Sequence, residues 1–339
     1  MTKKIIVRVV GRLGNQMYRY CFARILQEEV KGELFLDFFD VEKHPDAPFD
    51  GWVDQLEKFN TRYTKIHNSS YSKVERIKKR FFPPKGLDIK QQILYFFHRC
   101  IIEIIYGKYD NLSFNELPTT WKRYAEYLSK NGLNIFPKTT GTKIFPTKKE
   151  TIYLDSHFGN ASYFTNYNVW LNEDFVNPLC IRDNNISFYQ TILNTESVCV
   201  TIRRGDFLSK DYKDSFFECG DRYFAEGIKM IKEKIEHPVF FFFSDDLDYA
   251  STFAQHTLRD NEIYFIEQSD NSVVEKVTLM SSCKHFIISN STFSWWVQYL
   301  GNSSNKIVVA PEHWYVHRIQ SHALIEEESW IRVPDKFLD

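Results

Sequence analysis

The stretch Val198-Cys-Val-Thr-Ile-Arg203-Arg204-Gly205-Asp206 narrows the fold more than any other. Five apolar or β-branched residues read as a strand buried in a sheet, and the run then stops in two cations, a glycine and a carboxylate. Adjacent guanidiniums at a strand's carboxyl end can fork onto pyrophosphate oxygens, and glycine lets a backbone come close. The aspartate can fix an arginine or accept a hydroxyl proton. The competing reading is a surface Arg–Asp ion pair, worth little by itself.

Other strand ends separate these readings. Val239-Phe-Phe-Phe-Phe243 is a second apolar strand and closes in Ser244, Asp245 and Asp246. His285 to Ser289 is a third, and Asn290-Ser291-Thr292-Phe293-Ser294 opens the helical run Trp295 to Leu300. Between them, Asp221 to Glu236 and Val274 to Ser282 have helical character. Strands alternating with helices predict a parallel sheet, whose ligands lie outside the carboxyl ends of its strands. Guanidiniums suit a diphosphate, carboxylates suit purine donors or ribose hydroxyls, and free N–H groups at a helix start suit phosphate. A nucleoside diphosphate satisfies all three ends. Ordinary helix capping is the plainer account of Ser289 to Ser294 taken singly.

The chain begins in the same idiom. Ile5 to Val10 is a β-branched strand, followed by the turn Gly11-Arg12-Leu13-Gly14-Asn15-Gln16 and a helical run Met17 to Leu26. Such a turn aims backbone N–H groups and a helix dipole at an anion. Glu33 to Asp37 and Thr151 to Asp155 read as further strands, and Pro137 to Lys149 as a loop. At 339 residues the chain suits two α/β domains of roughly 150 residues each. The expected domains are residues 1–183 and 184–339.

Lys+Arg 43 against Asp+Glu 44 leaves a net charge of −1, so no global field draws the chain to nucleic acid. The six cysteines are scattered without a C-x-x-C, which argues against a metal site and a disulfide framework and fits a reducing compartment. The N-terminal apolar run is too short for a signal peptide. A glycan on the sequon at Asn290 would obstruct the cleft, so a cytoplasmic location is expected. A basic run, Lys73 to Arg80, precedes an aromatic-rich helical run from Gln91 to Tyr106. Together they suit peripheral contact with an anionic membrane, although a core helix with a solvated cationic neighbour is the commoner arrangement. Nothing in the sequence fixes an oligomeric state.

In order, Gly11-Arg-Leu-Gly-Asn-Gln-Met-Tyr18, Ile202-Arg-Arg-Gly-Asp206, Phe243-Ser-Asp-Asp246, Leu279-Met-Ser-Ser-Cys-Lys-His285, Asn290-Ser-Thr-Phe-Ser-Trp-Trp296 and Ala310-Pro-Glu-His-Trp314 resemble the bacterial α-1,2-fucosyltransferases of glycosyltransferase family 11. The resemblance implies a GT-B-like α/β fold, two Rossmann-like domains facing across a cleft. It implies inverting transfer of fucose from GDP-β-L-fucose to the 2-hydroxyl of a galactose-type residue, with no cofactor and no required metal. Carried over, Arg203, Asp206 and Asn15 occupy catalytic positions. Arg12, Gly14, Asn15, Arg203, Arg204, Ser244, Asp245, Asp246 and Asn290 to Ser294 bind the donor. The family usually has histidine where Thr201 stands, glycine where Val10 stands, and commonly glutamine where Gly159 stands. That histidine therefore cannot be the base here. A different acceptor or linkage, or a non-catalytic nucleotide-sugar-binding module, is the alternative.

Overall fold

The computed structural model describes residues 2–42, 53–67, 86–105, 118–135, 146–165, 167–205, 217–259, 262–314, 327 and 329–337. The chain divides into two units, the first made of Met1–Leu56 and Arg62–Phe164, the second of Glu57–Thr61 and Thr165–Asp339. Both are α/β units built on a parallel sheet, the two Rossmann-like domains expected of a GT-B-like chain.

In the first unit the strands β1 (Lys4–Arg8), β2 (Glu33–Asp37), β3 (Thr64–Ile66), β4 (Leu133–Asn134) and β5 (Thr151–Leu154) lie in the order β3-β2-β1-β5-β4. Every pairing is parallel. The β-branched run Ile5-Ile6-Val7 is buried throughout because β1 is the central strand. Chain order reverses between β1 and β5, so their carboxyl ends flank the crevice where ligands of such sheets bind. From β1 the chain turns at Gly11, whose φ of +77° is strained for any other residue. It then enters the helix Leu13–Val30. The register Val7↔Leu154 sets the residues after β1 beside Asp155 to His157.

In the second unit β6 (Glu196–Ile202), β7 (Pro238–Ser244), β8 (Tyr264–Ile266), β9 (His285–Ile288), β10 (Val308–Pro311) and β11 (Ile331–Val333) lie in the order β11-β10-β9-β6-β7-β8, again all parallel. The reversal falls between β6 and β9. Their carboxyl ends carry Arg203 and Ser289 to Ser294, so the two motifs met in the sequence sit at the switch point of one sheet. Phe240 to Phe243 alternate between the two faces of β7 and are buried on both. The helix Asp221–Lys232 packs closely on this sheet through Gly227.

Among the described residues the expected strands and helices are recovered, most with shifted ends, and the short edge strands β3, β4 and β11 are additional to them. Two or three residues carry no readable alternation. The expected loop Pro137 to Lys149 lies mostly outside the described residues, as does Tyr106. The two units part near residue 165, and the expected domain boundary was at 183/184. The helix Asn168–Phe175 belongs with the second unit because Phe175 meets the Trp296 ring and Asn172 Nδ2 donates to Leu300 O at 2.8 Å. The short excursion Glu57–Thr61 joins it through Asn60 N, which donates to Asp174 O at 3.0 Å, and through the Phe59–Phe175 ring contact. All six cysteines are free thiols.

A Cβ at Gly227 would lie 2.9 Å from Cγ2 of Ile287 on the central strand β9. Gly227→Ala is therefore expected to destabilise the chain by about 1–3 kcal/mol through overpacking. A lowered urea midpoint with an unchanged slope is the expected readout.

Candidate active site

The long pairing of β6 with β7 puts Ile202 opposite Ser244. The next residue on each strand therefore meets its neighbour. Arg203 Nη1 lies 2.7 Å from Asp245 Oδ2, and Arg204 N donates to Asp245 Oδ1 at 2.9 Å. One carboxylate thus holds the guanidinium of Arg203 and the backbone that carries it. Both partners remain partly exposed, so the guanidinium is oriented without being sealed off.

Arg204 is held on several sides. Its Nη1 donates to Glu218 Oε1 at 3.0 Å, its Nε lies 3.6 Å from Asp246 Oδ2, and its guanidinium carbon sits 3.9 Å from the ring centroid of Tyr249. Tyr249 in turn donates to Asp221 Oδ1 at 2.5 Å, and burial, first of all, pushes its hydroxyl well above its ordinary pKa. Asp246 caps the helix Leu247–Thr257 by accepting from Tyr249 N at 3.0 Å, and its own N–H donates to Ser244 Oγ at 2.9 Å. Ser244 N donates to Glu267 Oε1 at 2.9 Å. Burial raises the Glu267 pKa against the pull of Lys276, 3.0 Å away.

At the neighbouring strand end, Thr201 is buried and its hydroxyl does structural work. It accepts from Ser289 N at 3.1 Å and donates to Ser294 Oγ at 2.8 Å, with Ser289 Oγ 3.1 Å from the same oxygen. This ties the first turn of the helix Thr292–Leu300 to the sheet. Asn290 is also buried, and its Nδ2 donates to Phe217 O at 2.8 Å and Trp314 O at 3.0 Å. Its amide anchors two flanking segments. Ser291 is the N-cap yet makes no side-chain capping bond. The first-turn N–H groups around Thr292 and Phe293 are therefore not capped by Ser291, at the strand end next to the one that carries Arg203, as in anion-binding helix starts. Asp206 lies outside the described residues.

The first unit gathers a second set at its own switch point. Arg12 is the N-cap of the helix Leu13–Val30, and Gly14 and Asn15 lie in its first turn. His157, three residues beyond β5, has Nε2 2.9 Å from Asn15 Oδ1, while Arg19 Nη1 donates to Asn15 O at 3.1 Å. A Cβ on Gly11 would approach Asn15 Nδ2 to 2.7 Å, so the glycine makes room for that amide. Behind it, Arg8 reaches Asp40 at 2.7 Å and Asp155 at 3.1 Å, and Arg99 reaches Asp155 at 2.5 Å. Burial by itself would raise the Asp155 pKa, but Arg8 and Arg99 outweigh it and hold the carboxyl down at about 2. Burial brings Arg19 down to about 10.

The structure thus joins Arg203 to Asp245, Arg204 to Asp245 and Asp246, and Thr201 to Ser289 and Ser294. Sequence reading missed Glu218, Tyr249 and Glu267, which come from distant segments and carry no local motif. It also passed over Arg8, Asp155 and His157, although Asp155 and His157 follow a strand as the other polar strand ends do.

The profile described as Glycosyl transferase family 11 matches residues 143–333. An Escherichia coli protein named alpha-1,2-colitosyltransferase is 28% identical over 332 residues, covering 97% of this chain and 98% of the relative. An Escherichia coli O-antigen biosynthesis glycosyltransferase, WbnK, is 27% identical over 332 residues, covering 95% and 98%. Among solved structures, the NodZ alpha-1,6-fucosyltransferase soaked with GDP-fucose aligns at a TM-score of 0.47 and 11% identity, over 88% of this chain and 93% of that one.

Replacing Asp155 by Asn leaves Arg8 and Arg99 partly buried beside a neutral group. The expected loss is on the order of 3 kcal/mol, read in urea unfolding at neutral pH. The ordinary carboxyl pKa is near ~4. A folded-state value of about 2 means the wild type keeps this stabilisation above that ordinary value and loses it as pH falls toward 2. The Asn variant should show a shallower acid limb.

Proposed function

This chain belongs to glycosyl transferase family 11, and we propose that it transfers fucose from GDP-β-L-fucose to the 2-hydroxyl of a galactose-type residue in a surface glycan. The observation that carries the reading is the Arg203 guanidinium, oriented by Asp245 at 2.7 Å beside an uncapped helix start at a sheet's switch point. Those groups suit a diphosphate leaving group, whose charge grows as the glycosidic bond breaks.

In this reading Arg203 and the N–H groups near Thr292 and Phe293 take up the departing charge. An oxocarbenium-like sugar develops, and the acceptor hydroxyl attacks from the opposite face, inverting the anomeric centre. Asp245 acts by fixing Arg203, and Asp246 by capping the helix that presents Tyr249 to Arg204. Ser244, Asn290 and Ser294 shape the same edge from behind. Asn15, braced by His157, offers its amide hydrogens to donor oxygens, with Arg12 and Gly14 on the same turn. Asp206 takes the proton of the attacking hydroxyl. Fixed guanidiniums supply the cationic charge, so transfer needs no metal and is expected to persist in EDTA.

The relative named for O-antigen biosynthesis supports a surface glycan as acceptor, and the one named as an alpha-1,2-colitosyltransferase supports the linkage and leaves the sugar to be tested. Colitose lacks the 3-hydroxyl of fucose, so GDP-colitose is the second donor reading. The deciding experiment supplies GDP-fucose and GDP-colitose to a panel of galactosides and reads the linkage by NMR. An α-1,2 product from GDP-fucose is expected. Tight GDP-sugar binding with no transfer to any galactoside would instead favour a different acceptor or a binding module.

Arg203→Ala is expected to lower turnover on the order of 100-fold or more with little change in unfolding. Turnover within a few-fold of wild type would refute this mechanism. Asp245→Asn should reduce turnover in the same direction by a smaller factor, because Arg203 is then present but loosely held.

A further inference from the structure

The helix Ile89–Ile105 is oriented against the usual rule. A surface helix turns its apolar stripe inward and its polar side chains outward. Here the inward face carries Gln91, Tyr95 and His98, at 1%, 4% and 0% exposure. Gln91 Nε2 donates to Asn131 O and Thr151 O at 2.9 Å each, and His98 Nε2 lies 3.0 Å from Ile135 O. Burial lowers the His98 pKa to about 4, so the ring is neutral in the core. The face turned to solvent carries Ile89, Ile93, Phe96 and Phe97, at 75%, 51%, 43% and 58% exposure. Their spacing of i, i+4, i+7 and i+8 places them along one side of the helix.

The neighbouring helix Thr119–Lys130 extends this face. The two pack side by side through His98 and Tyr124, whose rings are 5.8 Å apart, and Lys90 Nζ sits 5.8 Å from the centroid of Tyr127, itself 46% exposed. Lys90, Arg123 and Lys130 are exposed on these two helices. Asp88 and Glu126 are each paired with a lysine, at 2.5 Å to Lys149 and Lys130, and Glu103, further along the first helix, is to be counted against Lys90 and Arg123. The rim is therefore cationic in surplus. The sequence that precedes the helix has the same sign, since Lys73 to Lys85 contains six Lys or Arg against Glu75. Residues 68–85 lie outside the described residues and enter here by charge alone. Among the described residues no helix is long and apolar enough to cross a membrane.

We propose that this face is a docking surface for an anionic lipid bilayer, with Ile89, Ile93, Phe96 and Phe97 entering the headgroup boundary and the surrounding cations meeting lipid phosphates. An apolar stripe with aromatic residues and a cationic surround is the form that an in-plane interfacial helix takes, and each basic group near an anionic surface strengthens the contact. An apolar protein partner would use the stripe but has no need of the cationic excess. The inference stands apart from the transfer chemistry, because none of these side chains belongs to the strand-end site.

The test is sedimentation of the full chain with vesicles of phosphatidylcholine alone and of phosphatidylcholine with phosphatidylglycerol, alongside Ile93→Ser/Phe97→Ser. Wild type is expected to pellet with the phosphatidylglycerol vesicles at low salt, to remain largely in the supernatant with the neutral ones, and to be released by high salt. The double variant should bind the anionic vesicles at least tenfold more weakly while its thermal unfolding and its transfer to a soluble acceptor stay at wild-type levels. Wild type that ignores anionic vesicles, wild type that binds neutral and anionic vesicles alike, or a double variant that binds as well as wild type would each overturn the proposal. Light scattering that shows a dimer dissociated by the double variant, with no vesicle binding by either protein, would overturn it in favour of a subunit interface.

Discussion

The register between β6 and β7 governs the second unit's site. Because Ile202 pairs with Ser244, the residues that follow the two strands meet as Arg203 and Asp245 at 2.7 Å. A slip of one residue would turn every side chain of the strand to the other face and separate the two. What holds the register is apolar. Val198, Val200 and Ile202 on β6 and Phe240 and Phe242 on β7 share one buried cluster. The charge arrangement at the edge is thus a consequence of packing several residues away.

The same logic explains why so many motif residues serve the protein itself. Asp246 caps a helix, Asn290 binds two backbone carbonyls, and Thr201 and Ser294 clip a helix start to the sheet. A buried polar group left unpaired is costly, so a strand end crowded with polar residues must first satisfy itself. Arg203, partly exposed and oriented by Asp245, is the group whose position suits an external anion. In the first unit Asp155 gathers Arg8 and Arg99 behind the turn that carries Asn15. There burial and charge pull in opposite directions, and the guanidiniums prevail.

Thr201 shows how far a motif can mislead when read alone. Its family resemblance marked it as a missing histidine, and so as a gap in the chemistry. In the folded chain its hydroxyl fills a three-way hydrogen-bonded junction with Ser289 and Ser294. The helix Ile89–Ile105 offers a parallel case. Its run of apolar residues reads as a core helix, but Gln91 and His98 occupy the core and the phenylalanines face outward. Hydrophobic content alone does not say which side of a helix is buried, because that depends on which backbone carbonyls the neighbouring segments leave unpaired.

Alternation of β-branched or aromatic runs with amphipathic ones was sufficient, from sequence, to establish parallel α/β architecture and to place Arg203, Asp245, Ser291 and Asn15 at element ends. Those are local properties, set by side-chain period and by glycine's access to positive φ at Gly11. Strand order, the switch points between β1 and β5 and between β6 and β9, and the parting of the two units near residue 165 were decided only in three dimensions. So were the partners of Asp245, Asn290, Thr201 and His157. Each depends on contacts between segments tens to more than a hundred residues apart, whose energies come from packing and hydrogen bonding that no local stretch encodes.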